Sequence, residues 1–238
     1  NKRIFPKFIF LEKPILSNSI KTIKKFPKNS LILTNLIFLF EKNWKIFQKI
    51  VAKNYQKNSF EYNWFFKQGY FENKKLTWKI NPSEGGGLIN YYLPHAIFNI
   101  LSIFKNVKLV KINKKKYHNK ILTYLEIILF HNNKYSILKI DNKSDVNLHS
   151  LRIQNNFNIN AIQISNKSTK WLSNFRIFKH RRPVRIIKKK ISLNDGREEI
   201  LADVYSKIGS YFSTKNIETN KSLTYKTFKL IHKINNKI

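Results

Sequence analysis

Cysteine is absent from the 238-residue chain, and so is methionine. Without thiols, neither disulfides nor thiolate metal sites can form. Glycine and proline number six each, so every one is informative punctuation. Acidic residues are scarce: 13 Asp and Glu stand against 46 Lys and Arg, a formal charge of +33. No apolar run reaches the roughly 18 residues that a membrane-spanning helix needs. The most apolar piece, Leu31 to Phe40, is interrupted by Thr34 and Asn35 and predicts a buried strand. Asn1-Lys2-Arg3 is not followed by the apolar core and cleavage site of a signal peptide, so a cytoplasmic protein without membrane contact is expected. The missing start residue predicts a processed or truncated product.

What is present is ample core material. Hydrophobic residues make up 42% of the chain, with 19 Phe, 11 Tyr and 4 Trp, which excludes wholesale disorder. The positive charge attracts polyanions and keeps a basic RNA-binding or ribosomal protein open as an alternative. Against it, lysines are scattered through every segment, and the aromatics of Tyr62-Asn63-Trp64-Phe65-Phe66 alternate like core residues. Only Lys114-Lys115-Lys116 and Arg181 to Lys190 form runs, and these read as solvated faces. Nucleic acid is therefore not expected as a partner.

Residues 4–11 predict a strand, Ser17 or Asn18 caps a short helix that Pro27 ends, and Leu31 to Phe40 and Trp44 to Val51 predict a second strand and helix. That order is the rhythm of a parallel α/β sheet. Phe60, Tyr62, Trp64 and Phe66 then alternate in a strand, and three glycines introduce an apolar helix from about Leu88 to Phe104. Strands are predicted over 107–112, 121–130, 135–140, 146–153, 158–164, 170–178 and 184–191, with turns such as His131-Asn132-Asn133 between them. Short turns favour antiparallel pairing. Two amphipathic helices close the chain, one through Ile200, Leu201, Val204, Ile208 and Phe212, the other from Ser222. The expected fold class is α+β: a large, open, mostly antiparallel sheet with helices on one face, preceded by the last βα units of a Rossmann-like parallel domain. The boundary is placed between residues 53 and 54.

Two motifs carry chemistry. In Leu11-Glu12-Lys13-Pro14, a lysine at the end of a strand sits at the carboxyl edge of a parallel sheet, where α/β domains bind ligands. In Glu84-Gly85-Gly86-Gly87-Leu88-Ile89-Asn90-Tyr91-Tyr92-Leu93-Pro94-His95, glycines allow close backbone approach and the helix that follows carries a histidine. Tyr91 and His95 are four residues apart and share a helix face. The ordinary reading of such a histidine is a satisfied core residue; the functional one is a general base. His118, His131, His149, His180 and His232 lack metal-ligand spacing and read as solvent or core residues, so no metal is expected. Asp141 and Asp145 read as turn residues.

Taken together, Glu12-Lys13-Pro14, a strand with Asn35, the tryptophans at 44, 64 and 78, the glycine triplet, the His95 helix and the closing Asn194-Asp195-Gly196-Arg197 resemble the Gfo/Idh/MocA oxidoreductases along nearly the whole chain. The resemblance implies hydride transfer with NAD or NADP at a sugar or nucleotide-sugar carbon. It implies that Glu12, Lys13, Pro14 and Asn35 border the cofactor, that Lys13 and His95 act on the reacting hydroxyl, and that the protein pairs with copies of itself through the open sheet. Trp171, Phe175 and Ile177 are expected on that association face. Two departures stand out. Tyr91 occupies the position of an aspartate that many members carry, so Tyr91 is a candidate replacement donor or the mark of a catalytically altered pseudoenzyme. The glycine-rich dinucleotide fingerprint is missing, since no three of glycines 69, 85, 86, 87, 196 and 209 match it. The chain alone is thus expected to bind cofactor poorly, as the C-terminal part of such an enzyme cut upstream of that loop.

Overall fold

The structure is a computed structural model and describes residues 7–11, 30–34, 40–74, 77–155, 160–167, 175–184, 197–206 and 214–238. Strands β1 (Phe8–Leu11) and β2 (Leu31–Thr34) pair in parallel, as expected of βα units. Helix α1 (Lys42–Asn54) follows, capped by the Glu41 carboxylate, which accepts from the Trp44 N–H at 2.7 Å.

The large sheet is built from β3 (Ser59–Lys67), β4 (Lys108–His118), β5 (Ile121–His131), β6 (Lys134–Asp141), β7 (Lys143–Gln154), β8 (Asn160–Asn166), β9 (Arg176–Lys179) and β10 (Arg182–Pro183). Its order is β10-β9-β8-β7-β3-β6-β5-β4, antiparallel throughout except for the β3–β6 pair. That exception has a simple cause. β3 is inserted between β6 and β7, which are joined only through Asn142, so a strand antiparallel to β7 must run parallel to β6. Asn142 caps the end of β3. Its carbonyl accepts from Gln68 N–H at 2.8 Å, and its amide donates to Gln68 Oε1 at 3.0 Å.

The turns explain how the chain manages with so few glycines. Asn119-Lys120, Asn132-Asn133 and His180-Arg181 are two-residue hairpin loops in which both residues have positive φ, between 45° and 65°. Asparagine tolerates this region better than other non-glycine residues. The edge strand β4 carries three register irregularities and exposed Lys108, Lys111, Lys114, Lys115 and Lys116. Bulges and lysines both discourage edge-to-edge pairing, so this run protects an edge.

Helix α2 (Gly69–Asn73), two short 3-10 turns, a π-turn at Leu88–Tyr92 and helix α3 (Leu93–Ile103) fill the crossover from β3 to β4. Helices α4 (Arg197–Ser206) and α5 (Thr214–Asn235) close the chain. One sheet face, with Phe60, Tyr62, Trp64, Leu125, Ile127, Leu138, Ile140, Leu151, Ile153, Ile162, Ile164 and Ile177, is buried in a single core with α1, α3 and α5. The core spans the expected boundary at residues 53 and 54. Trp44 and Phe47 of α1 lie in it, Asn43 Nδ2 donates to the Phe175 carbonyl at 3.1 Å, and Thr34 of β2 meets Thr224 of α5 at 3.2 Å.

The opposite face is open and half-buried. At its centre Glu61 meets Lys139 at 3.1 Å and Arg152 at 3.7 Å, and Tyr124 donates to Glu126 at 2.8 Å. Phe175 and Ile177 are not on this face, contrary to expectation. Both are buried on the helix side, where Phe175 packs edge-on against Trp44 and His149. Trp171 lies outside the described residues, as do the helix after Ser17, residues 35–39 of the second predicted strand, and 185–191. Two boundaries also differ: β4 is one strand to His118, and α5 starts at Thr214 rather than Ser222.

Candidate active site

The glycine triplet is spent on the chain's own packing. Gly85 and Gly87 have φ of 83° and 79°. A Cβ on Gly86 would lie 2.1 Å from the Trp78 carbonyl oxygen, and the Gly86 N–H donates to the Asn81 carbonyl at 2.8 Å. This close approach folds residues 78–87 into a compact platform that launches the next helix. Pro94 shapes that launch. It has no N–H to return to the turn before it, and the Leu93 N–H instead reaches back five residues to the Leu88 carbonyl, the bond that defines a π-turn.

His95 emerges in the first turn of α3 and is buried. Its ring stands edge-on to Trp64 at 5.7 Å and 84°. Tyr91 is half-buried and lies edge-on to Trp78 at 5.3 Å and to Tyr92 at 4.8 Å, with the Lys79 ammonium 5.7 Å from its ring. Tyr92 in turn packs edge-on to Trp64 at 5.7 Å, so a continuous series of rings runs from Tyr91 to His95. Burial holds the Tyr92 hydroxyl above its ordinary range.

A second constellation lies beneath this one. His149 of β7 stacks on Trp64 with centroids 4.9 Å apart and planes at 14°. The Tyr62 hydroxyl meets His149 Nε2 at 2.5 Å and accepts from Asn99 Nδ2 at 3.2 Å. The tautomer of His149 sets which of the two groups donates in this hydrogen bond. Burial pushes His149 down to about 3 and Tyr62 well above its usual value, so both are neutral near pH 7. The sequence reading classed His149 with solvent or core histidines, and it lies in the core. Its hydrogen-bond partner Tyr62 lies 87 residues away in the chain, beyond the reach of any local pattern.

In front of the platform a cavity of about 360 Å³ is lined by Phe66, Lys67, Gln68, Tyr70, Lys79 and Tyr92, among others. Glu72 lines it too and Lys67 is already paired with Asp145, so the lining is a mixed polar surface of a size that suits a small molecule, and neither His95 nor Tyr91 borders it. A larger one, about 600 Å³, lies at the other end of α3, near Ser102 and Phe104. Lys13, with Glu12, Pro14 and Asn35, lies outside the described residues, so its distance from His95 is not part of this geometry. Among the described residues no three of His, Asp and Glu gather as a metal site, and no helix is long and apolar enough to cross a membrane. Of the remaining histidines, His131 is buried against Phe60 and Phe104 with its Nε2 2.9 Å from Ser136 Oγ, and burial pushes it down to about 4. His118, His180 and His232 are half-buried or exposed. Asp141 accepts from the Lys143 N–H in the turn, and Asp145 pairs with Lys67.

No protein-family model matches the chain, and no curated protein does. Solved structures do. A variant of a 3-ketoreductase from Actinomadura kijaniata, in complex with TDP-benzene and NADP, superposes with a TM-score of 0.68 at 9% identity, covering 95% of this chain and 69% of that one. An oxidoreductase from Agrobacterium radiobacter in complex with NAD+, L-tartaric acid and magnesium gives 0.67 at 12%, covering 94% and 68%. A UDP-N-acetylglucosamine 3-dehydrogenase from Acidithiobacillus ferrooxidans gives 0.62 at 10%, covering 96% and 70%. The chain thus has the fold of these oxidoreductases over nearly its whole length. The expected fold class, a large open and mostly antiparallel sheet with helices on one face, is the one observed.

Proposed function

We propose that this chain is the C-terminal part of an NAD- or NADP-dependent oxidoreductase that acts on a hydroxyl or carbonyl carbon of a sugar, most naturally a nucleotide sugar. Residues 1–53 are the last units of its nucleotide domain, and 54–238 form its substrate and partner domain. The observation that carries the reading is the fold likeness, joined to the place of His95 at the start of the helix that the glycine platform launches. The nicotinamide supplies or accepts hydride. On the protein side, His95 takes the proton of the reacting hydroxyl and the Lys13 ammonium steadies the developing oxyanion. Glu12, Pro14 and Asn35, which come next in the sequence after β1 and β2, are assigned to the nicotinamide by the resemblance. The cofactor's diphosphate finds no cradle in the glycine triplet, because Gly86 lies against the Trp78 carbonyl. Tyr91 borders the substrate side of the platform in place of a carboxylate.

The test is hydride transfer by the intact protein with NAD or NADP and UDP- or TDP-linked sugars. His95→Asn is expected to lower kcat by about 10²–10⁴-fold, the usual worth of general acid–base catalysis, and Lys13→Ala by a similar factor. Full activity in both variants would overturn the assignment. The open sheet face, with half-buried Ile128, Phe130, Ile137 and Phe178 around the Glu61 ion pairs, supports a homo-oligomer through this face. Sedimentation at moderate salt is expected to give a dimer or tetramer. A clean monomer at tens of micromolar would refute that.

A further inference from the structure

We propose that Trp64 and His149 are positioning residues for His95: the indole is the wall against which the His95 ring is held, and His149 is the plate that keeps the indole in place. The inference deepens the proposed function and rests on His95 being the group that meets the substrate. Trp64 sits on the central strand β3, between His95 edge-on at 5.7 Å and His149 stacked at 4.9 Å. Register fixes the stack, since Trp64 and His149 are direct cross-strand partners. The plate itself cannot swing, because Tyr62 holds its Nε2 and Asn99, one turn of α3 beyond His95, holds Tyr62. Trp44 and Phe175 close the remaining sides of His149 at 5.8 and 5.3 Å. A base must be held within about 0.5 Å of its productive position to act well, and here an aromatic column does the aligning where many members of the family that the motifs resemble carry a carboxylate at the Tyr91 position.

The test is imidazole NMR of the 238-residue chain, its signals identified by single His→Gln variants, with turnover of the intact protein as a second readout. His149→Ala removes the plate and is expected to shift and broaden the His95 ring signals, while those of His131, in the Phe60–Phe104 cluster, stay in place. His149→Phe restores a flat ring and is expected to restore the His95 signals, although it cannot bond Tyr62. In the intact protein, His149→Ala is expected to cut kcat by about 100-fold with KM nearly unchanged, as misplacement of about 1 Å does. His95 signals that ignore His149→Ala in a folded protein would overturn the proposal. Should the alanine variant not fold, Trp64→Phe decides: unchanged kcat there refutes the wall. If His95→Asn leaves turnover intact, the functional reading falls, whereas the NMR result stands by itself.

Discussion

Replacing Gly86 by alanine is expected to destabilise the protein by about 3 kcal/mol or more, the upper range for forcing atoms into packed space. The added Cβ would lie 2.1 Å from the Trp78 carbonyl oxygen and 2.6 Å from the Lys79 carbonyl carbon. Both are backbone atoms, and neither can swing aside as a side-chain end can. Moving them would break the Gly86–Asn81 hydrogen bond and withdraw Trp78 from Tyr91. At roughly 2–4 °C per kcal/mol for a chain of this size, Tm is expected to fall by about 6–12 °C. Gly69→Ala is the control. A Cβ there meets nothing within 4 Å and helix propensity favours alanine, so stability is expected to hold or rise slightly. Equal Tm values for the two variants would mean that the platform does not pack as described.

The contrast between these glycines shows where sequence reasoning reaches and where it stops. Alternation along β3, β5 and β7 announced strands because a two-residue period has one cause. The Asn132-Asn133 turn and the Gly85–Gly87 approach were legible for the same reason: few residues tolerate those backbone angles. Alternation gives the phase of a strand but not which face the fold covers. Phe175 and Ile177 were therefore assigned to the open face, although Trp44, 131 residues earlier, and His149 draw Phe175 inward. The π-turn was present in the sequence as Pro94 inside an apolar run. The column beneath His95 was not, because it assembles β3, β7, α1 and α3 through contacts whose sequence separation leaves no local pattern.

Acid is expected to destabilise this protein well above the carboxylate range, with His149 and His131 as the main cause. Both are buried neutral, pushed from an ordinary 6.5 down to about 3 and about 4. In the unfolded chain each takes up a proton as pH drops below about 6.5, whereas in the folded protein each resists until its own lowered value. Their contribution is thus complete above pH 6.5 and is lost progressively as pH falls toward 4 and 3. At about pH 5 each costs about 2 kcal/mol, at roughly 1.36 kcal/mol per unit, so the pair removes about 4 kcal/mol from the total stability of about 5–15 kcal/mol typical of such domains. The charge of +33 works in the same direction, because every added proton increases self-repulsion. Urea unfolding at about pH 7 and about pH 5 measures the loss directly. His149→Phe keeps a flat ring against Trp64 but cannot be protonated, so its midpoint is expected to move about half as far between the two pH values, whatever the lost Tyr62 hydrogen bond costs at both. A pH dependence identical to that of the unaltered protein would mean that His149 is already protonated, or reached by water, in the folded state.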